Sequence, residues 1–174
     1  SASYKKKEVP RNQLDKFVNT NTLNGFNVTL PHKQTILPFL KSLDDSAKVI
    51  GAVNCVYKGK GYNTDWIGFL ETINNYDLSI NNKNCIIIGA GGAARAIAYA
   101  LIKKGIKSIS IKNRSFEAKQ KFLKWIDNLH PTNSSNQNPN IIINCTPLGM
   151  WPEINFMPDI EINDEITLIE TVYN

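Results

Sequence analysis

Long apolar runs are missing from this chain of 174 residues. No window approaches the roughly 20 consecutive apolar residues that a membrane-spanning helix needs, so we expect no membrane partner. Charged residues make up 20% and apolar residues 42% of the composition, which is typical of a folded globular protein and not of a disordered one. The length suits one ordinary domain or two small ones.

Cysteine is also scarce. Cys55, Cys85 and Cys145 lie far apart and form neither a CxxC pair nor a zinc-ligand spacing. Each of them lies in or beside an apolar run, where a cysteine behaves as a small core residue. The sequence therefore predicts free thiols in a reducing, cytoplasmic environment and no metal site.

Concentrated positive charge is absent, although the net charge is +5. The lysines are spread along the chain, and their one cluster, Lys5–Lys7, has neither interleaved aromatic residues nor a zinc-finger or RNP-like motif near it. A modest positive charge affects solubility or favours an anionic small molecule. We expect no nucleic-acid partner.

Two blocks of different pattern predict two domains, residues 1–78 and 79–174. The first block mixes short elements and predicts a small α/β domain. Its pattern indicates a strand over Gly25–Thr29, a helix over Gln34–Leu43, a hairpin turning at Lys58–Lys60 and a helix for which Asp65 is the N-cap.

The second block alternates apolar strands with helices, which is typical of a doubly wound, Rossmann-like parallel sheet. The predicted elements are Cys85–Ile88, Ala93–Lys104, Ser108–Lys112, Phe116–Leu129, Asn140–Asn144 and Thr167–Thr171.

A glycine-rich turn joins the first strand and helix of the second block. Its sequence, Gly89-Ala90-Gly91-Gly92-Ala93-Ala94, fits the G-x-G-x-x-G/A pattern of dinucleotide-binding folds. Glycine permits the tight turn and the approach of a pyrophosphate, while the helix N-terminus offers N–H groups and partial positive charge. The sequence therefore predicts a dinucleotide site at Gly89–Ala93.

The residues after the second strand of this block indicate which dinucleotide binds. An NAD site carries an acidic residue there, which accepts from the ribose 2′-hydroxyl. This chain has Lys112, Asn113, Arg114 and Ser115 instead. Arg114 can form a bidentate pair with a 2′-phosphate, so we expect NADP as the cofactor and Asn113, Arg114 and Ser115 among its contacts.

Seven short motifs in order along the chain resemble the shikimate dehydrogenase family. They are Asn27-Val-Thr-Leu-Pro-His-Lys33, Gly51-Ala-Val-Asn54, Gly61-Tyr-Asn-Thr-Asp65 with Gly68-Phe69, the turn Gly89–Arg95, Asn113-Arg-Ser115, Asn144-Cys-Thr146 with Gly149-Met150, and Val172-Tyr-Asn174.

The resemblance implies reversible reduction of 3-dehydroshikimate to shikimate in aromatic amino-acid biosynthesis, by a monomer or homodimer. Carried over residue by residue, it implies that Lys33 and Asp65 are catalytic. It also implies substrate contacts and further cofactor contacts. The substrate contacts are Thr29, Asn54, Asp65 and Tyr173, and the further cofactor contacts are Thr146, Gly149 and Met150.

Two other functions remain open at this point. One is a dehydrogenase for quinate or another shikimate-like acid, with NAD as a possible cofactor. The other is a non-catalytic NADP-binding module. This sequence does not include the family's upstream Ser-x-Ser motif or its later glycine-rich turn, substrate-contacting glutamine and closing helix. If the molecule itself is without them, we expect weak or no turnover with nucleotide binding partly retained.

Overall fold

The computed structural model describes residues 3–131, 138–151, 158 and 160–171. It divides into two compact units, Ser1–Asn63 and Thr64–Asn174. Within the described ranges, none of the helices combines the length and the apolar character needed to cross a bilayer.

The first unit is a small four-stranded sheet with short helices. Its strands lie in the order β1-β3-β4-β2, and β1, β3 and β4 are antiparallel neighbours, whereas β2 runs parallel to β4. Its elements are α1 (Leu14–Thr20), β1 (Gly25–Asn27), β2 (Ser42–Leu43), α2 (Asp45–Ile50), β3 (Cys55–Tyr57) and β4 (Lys60–Tyr62).

The predicted hairpin joins β3 to β4. Lys58 and Gly59 both have positive φ, 49° and 78°, as the two central residues of a type I′ turn require. Cys55 pairs with Tyr62 and Tyr57 with Lys60, so the two strands are joined by a two-residue turn. The prediction of a turn at Lys58–Lys60 is confirmed.

The predicted helix over Gln34–Leu43 is wrong. Turns lead into a single 3-10 turn at Leu37–Phe39, and the chain is extended by Ser42–Leu43. Pro38 lies in the middle of the predicted helix, and proline both lacks the N–H and clashes with the preceding turn. After it, Lys41 N–H donates to the Gly59 carbonyl at 3.0 Å, and the chain joins the sheet beside β4.

The second unit contains a four-stranded parallel sheet in the order β6-β5-β7-β8. This confirms the predicted α/β, Rossmann-like architecture, because every neighbouring pair is parallel and helices connect β5 to β6 and β6 to β7. Its elements are α3 (Asp65–Asn75), β5 (Asn84–Ile88), α4 (Gly92–Lys103), β6 (Ser108–Lys112), α5 (Phe116–Leu129), β7 (Ile141–Asn144) and β8 (Thr167–Glu170).

Helix α3 belongs to the second unit by its packing. Phe69 and Ile73 on α3 are buried in one hydrophobic core with Ala98 and Leu101 of α4. The structure therefore divides the chain before this helix, while the boundary between residues 78 and 79 remains a prediction from the sequence pattern.

The sequence pattern predicts Asp65 as the N-cap of α3, but in the structure Asp65 is the first residue of the helix. Thr64 occupies the cap position, and its side chain makes no capping hydrogen bond. An acidic side chain in the first turn stabilises a helix through the helix dipole, so Asp65 suits this place as well.

Candidate functional site

The glycine-rich turn brings β5 directly to the N-terminus of α4. Gly89 has φ of 105°, a conformation that favours glycine over any other residue. Its N–H donates to the Lys112 carbonyl at 2.9 Å, which ties the turn to the end of β6. A Cβ at this position would lie 3.1 Å from the Cys145 carbonyl oxygen, so the chain following β7 also requires a glycine here.

Gly91 differs from Gly89 because the protein itself does not require a glycine there. Its backbone is extended, with φ −85° and ψ −171°, and a Cβ built on it would meet no atom within 4 Å. It is the exposed N-cap residue of α4, and it makes no side-chain capping bond to the first-turn N–H groups. Gly91 leaves room for a ligand to approach the main chain.

The loop after β6 carries the residues that the sequence predicts to contact a 2′-phosphate. Asn113 Nδ2 donates to the Ser115 carbonyl at 2.9 Å, and Ser115 Oγ accepts from the Ala118 N–H at 3.3 Å as the N-cap of α5. Arg114 is exposed between them. The nearest acid along this stretch, Glu117, pairs with Lys121 at 2.7 Å, so the loop itself presents positive charge.

The third group of predicted cofactor residues follows β7. Thr146, Gly149 and Met150 belong to a loop in which Gly149 has φ of 89° and Met150 N–H donates to the Pro147 carbonyl at 3.0 Å. Since β5, β6 and β7 are parallel neighbours, their carboxyl ends meet at one edge of the sheet. The structure thus brings Gly89–Ala93, Asn113–Ser115 and the loop after β7 to that common edge.

Arg95 is a residue of this region that the sequence reasoning did not assign. It lies in the first turn of α4, and its guanidinium carbon stacks 4.2 Å from the centre of the Trp125 ring on α5. Burial lowers the pKa of Arg95 to about 10, which still leaves it protonated at neutral pH. Its place just after the glycine-rich turn, in the first turn of α4, is the feature of the sequence that could have marked Arg95 as a candidate.

The first unit brings three predicted residues together through its main chain. The Lys33 carbonyl accepts from the Val53 N–H at 2.7 Å, and the Asn54 carbonyl accepts from the Val28 N–H at 2.8 Å. These bonds connect the segments that carry Thr29, Lys33 and Asn54. Lys33 and Asn54 are half-buried and Thr29 is exposed.

Asn63 was missed as a residue that shapes the first unit. Its side chain is 2% exposed, and its Nδ2 donates to the Ala52 carbonyl at 3.0 Å. This bond fixes the end of β4, two residues before Asp65 in the sequence. Asp65 is half-buried at the start of α3 in the second unit, while Tyr173 lies outside the described residues.

Two protein-family models match the chain. One, described as the shikimate dehydrogenase substrate binding domain, matches residues 1–56. The other, described as shikimate / quinate 5-dehydrogenase, matches residues 71–147.

Curated relatives carry the same name. A shikimate dehydrogenase (NADP(+)) of Methanosphaera stadtmanae is 39% identical over 173 residues, which cover 89% of this chain and 61% of the relative. A shikimate dehydrogenase (NADP(+)) of Clostridium botulinum strain Hall is 37% identical over 179 residues, covering 92% of this chain and 69% of the relative. The chain therefore spans about two thirds of the length of these relatives.

A solved structure shares the fold over nearly the whole chain. A crystal structure of shikimate dehydrogenase in complex with NADP+ superposes with a TM-score of 0.82 at 32% sequence identity. The match covers 95% of this chain and 64% of that one. The two-unit architecture is therefore that of a known dehydrogenase.

Proposed function

Because this chain belongs to the shikimate dehydrogenase family, we propose that it is an oxidoreductase that reversibly reduces 3-dehydroshikimate to shikimate with NADPH. The observation that carries the proposal is the glycine-rich turn, where Gly91 leaves space that the fold itself does not need. The names of the curated relatives support both the substrate and the cofactor.

The residues of the second unit fit NADP(H). The open main chain at Gly91 and the first turn of α4 suit a pyrophosphate, because helix N-terminal N–H groups bind anionic oxygens. Arg114 suits the 2′-phosphate, since a guanidinium forms bidentate, charge-assisted hydrogen bonds. Thr146, Gly149 and Met150 are proposed to contact the nicotinamide half. When bound, NADPH supplies the hydride.

The protein's own chemical task is to manage a proton and an anionic oxygen. Reduction of a ketone builds negative charge on its oxygen, and a donor must neutralise that charge as it forms. We propose that the Lys33 ammonium donates this proton, that Asp65 shares the acid–base role, and that both act in reverse during oxidation.

Recognition of the substrate is proposed for three polar side chains, two in the first unit and one at the start of α3. A polyhydroxylated ring needs acceptors and amides for its hydroxyl groups, which Thr29, Asn54 and Asp65 can provide. The main-chain bonds that connect the Thr29, Lys33 and Asn54 segments support this role. A further contact is proposed for Tyr173.

A second candidate is a dehydrogenase that prefers quinate. The family description that matches residues 71–147 names both shikimate and quinate, and this favours quinate over other acids. The cofactor loop still favours NADP over NAD in either case, because the acid that NAD sites carry is replaced by Arg114 and its neighbours.

The proposal also covers the cellular context. A cytoplasmic monomer or homodimer that uses small molecules, with no nucleic-acid or membrane partner, is consistent with the free cysteines and the dispersed charge.

A two-by-two assay tests the proposed function. The purified chain is assayed with shikimate or quinate and with NADP+ or NAD+, following formation of the reduced nicotinamide. We expect the highest kcat/KM with shikimate and NADP+. A preference for quinate or for NAD+ would overturn the respective part of the proposal. Binding of NADPH without turnover of either acid would favour a non-catalytic module.

A further inference from the structure

Asn144 is a buried polar residue to which neither the sequence reasoning nor the proposed function gives a role. It ends β7 after three isoleucines, and only 1% of its surface is exposed. Burying an amide side chain in an apolar sheet costs free energy unless its polar atoms are hydrogen-bonded. The identity of its partners therefore shows what the residue does.

The side chain of Asn144 is bonded to the loop that follows it. Its Oδ1 accepts from the Thr146 N–H at 3.0 Å and from the Thr146 hydroxyl at 2.7 Å. Its Nδ2 donates to the Leu148 carbonyl at 3.2 Å. The Leu148 N–H in turn donates to Thr146 Oγ1 at 3.3 Å, so one amide group closes a small network across the loop.

The main chain of Asn144 joins the same network to β8. Its carbonyl oxygen accepts from the Thr171 hydroxyl at 2.7 Å and from the Thr171 N–H at 3.2 Å. The next residue, Cys145, donates its N–H to the Ile88 carbonyl at 2.8 Å. Asn144 is thus a junction between the ends of β7 and β8, next to the residue that precedes the glycine-rich turn.

This loop packs beside the glycine-rich turn. The Cys145 carbonyl oxygen and Thr146 Cγ2 would lie 3.1 Å and 3.3 Å from a Cβ at Gly89. The loop therefore occupies the space that a side chain at position 89 would need. The loop also carries Gly149 and Met150, which are proposed to contact the nicotinamide half.

We propose that Asn144 is a positioning residue that holds the loop 145–150 against the glycine-rich turn, and so sets the place of the nicotinamide half of the dinucleotide. The role of the nicotinamide rests on the proposed function. The fixed loop conformation does not, because its hydrogen bonds form within the protein.

Two ligands of different length distinguish a positioning role of Asn144 from a general effect on stability. The adenine-side analogue 2′,5′-ADP lacks the nicotinamide half, whereas NADPH carries both halves. We compare Asn144→Asp, which keeps the shape but loses the donor to Leu148, and Asn144→Ala, which removes all three side-chain bonds. Ser108→Ala is the matched control. Ser108 is 6% exposed and donates to Asn84 Oδ1 at 2.8 Å at the other end of the same sheet.

We expect both Asn144 variants to bind 2′,5′-ADP within about twofold of the unmodified chain, since distant sites act independently. Turnover should fall at least about tenfold, because small misplacements of reacting groups carry large rate costs. NADPH affinity should fall more than 2′,5′-ADP affinity. Ser108→Ala should lower the melting temperature and change the affinities for 2′,5′-ADP and NADPH equally.

Amide hydrogen exchange of the unliganded protein provides a second measurement. The Thr146 and Leu148 amides should be protected in the unmodified chain and exchange at least about tenfold faster in Asn144→Ala, because the Asn144 side chain accepts from the Thr146 N–H and from the Thr146 hydroxyl whose oxygen accepts from the Leu148 N–H. Equal losses of 2′,5′-ADP and NADPH affinity, or unchanged exchange at both amides, would overturn the inference. Failure of the unmodified chain to bind NADPH would instead overturn the proposed function, leaving the exchange result interpretable.

Discussion

The two units hold their candidate residues by different means. In the second unit, the candidate cofactor residues follow directly after β5, β6 and β7, so the long parallel strands and their main-chain hydrogen bonds position them. In the first unit, Thr29, Lys33 and Asn54 lie on turns and strand ends, connected by a few main-chain bonds. Under the proposed function, we expect nucleotide binding to depend mainly on backbone shape, and proton transfer and substrate recognition to depend on single side chains.

This difference predicts a separation of phenotypes. Substitutions of side chains in the first unit should impair turnover and spare nucleotide binding. Substitutions in the glycine-rich turn should impair nucleotide binding or folding first.

The largest expected effect is that of Lys33→Ala. Turnover should fall by at least about 10²-fold, the scale of a lost general acid–base group, while NADPH affinity stays unchanged. Steady-state assays and NADPH titrations of the same preparations measure the two quantities.

Lys48→Ala is the control for removing a lysine from the first unit, because Lys48 is exposed on α2 and pairs with the exposed Asp45 at 3.1 Å. Turnover by Lys33→Ala equal to that of this control would remove Lys33 from the mechanism.

An intermediate effect is expected for the two glycines of the turn. Gly89→Ala should lower the free energy of unfolding by about 1–3 kcal/mol, because φ is 105° there. Gly91→Ala should change stability by less than about 1 kcal/mol, since its φ is −85° and its surroundings are open.

Gly91→Ala should nevertheless weaken NADPH binding by about tenfold or more, because a methyl group would keep a phosphate from the main chain. Urea unfolding and ligand titration give the two results. Unchanged NADPH affinity in Gly91→Ala would contradict the proposal that the pyrophosphate binds the main chain at Gly91.

The smallest expected effect concerns the thiols of the second unit. Burial raises the pKa of Cys145 to about 12 and that of the buried Cys85 further above its ordinary value. At pH 8 both should be alkylated much more slowly in the folded protein than in urea, because the thiolate is the reactive form. Peptide mass spectrometry after timed alkylation measures this, with Cys55 of the first unit, which is half-buried like Cys145, as an internal comparison.

The same pKa shift has a consequence for stability. A thiol whose pKa is raised on folding stabilises the protein below its unfolded pKa of about 8.5 and loses that contribution as pH rises through the folded pKa. Stability should therefore decline between about pH 9 and pH 12. Alkylation of Cys145 as fast as in urea would show that its thiol is not buried.

Local patterns in the sequence predict the second unit well. The strand Ser108–Lys112 and the helix Phe116–Leu129 have the predicted bounds, because apolar periodicity and the Ser115 cap act within one segment. The glycine-rich turn was predictable for the same reason. The role of Asn144 was not, since its partners are defined by the loop conformation and by Thr171, far along the chain.

The first unit is less predictable because its elements are short. The interior Pro38 was the available signal against a helix over Gln34–Leu43, yet the apolar spacing around it favoured one. Helices α1 and α2 were not predicted, as each spans only seven or six residues. The clustering of Thr29, Lys33 and Asn54 follows from bonds between separate segments, which periodicity does not reveal.

The most direct test of the central claim, that the second unit binds NADP(H) and recognises its 2′-phosphate through Arg114, is the ratio of NADPH to NADH affinity. We predict that the unmodified chain binds NADPH at least about tenfold more tightly, and that Arg114→Gln abolishes this preference by weakening NADPH binding alone. Lys124→Gln, which removes an exposed charge on α5, should keep the preference. Equal affinities for the two nucleotides in the unmodified chain, or an unchanged ratio in Arg114→Gln, would contradict the account.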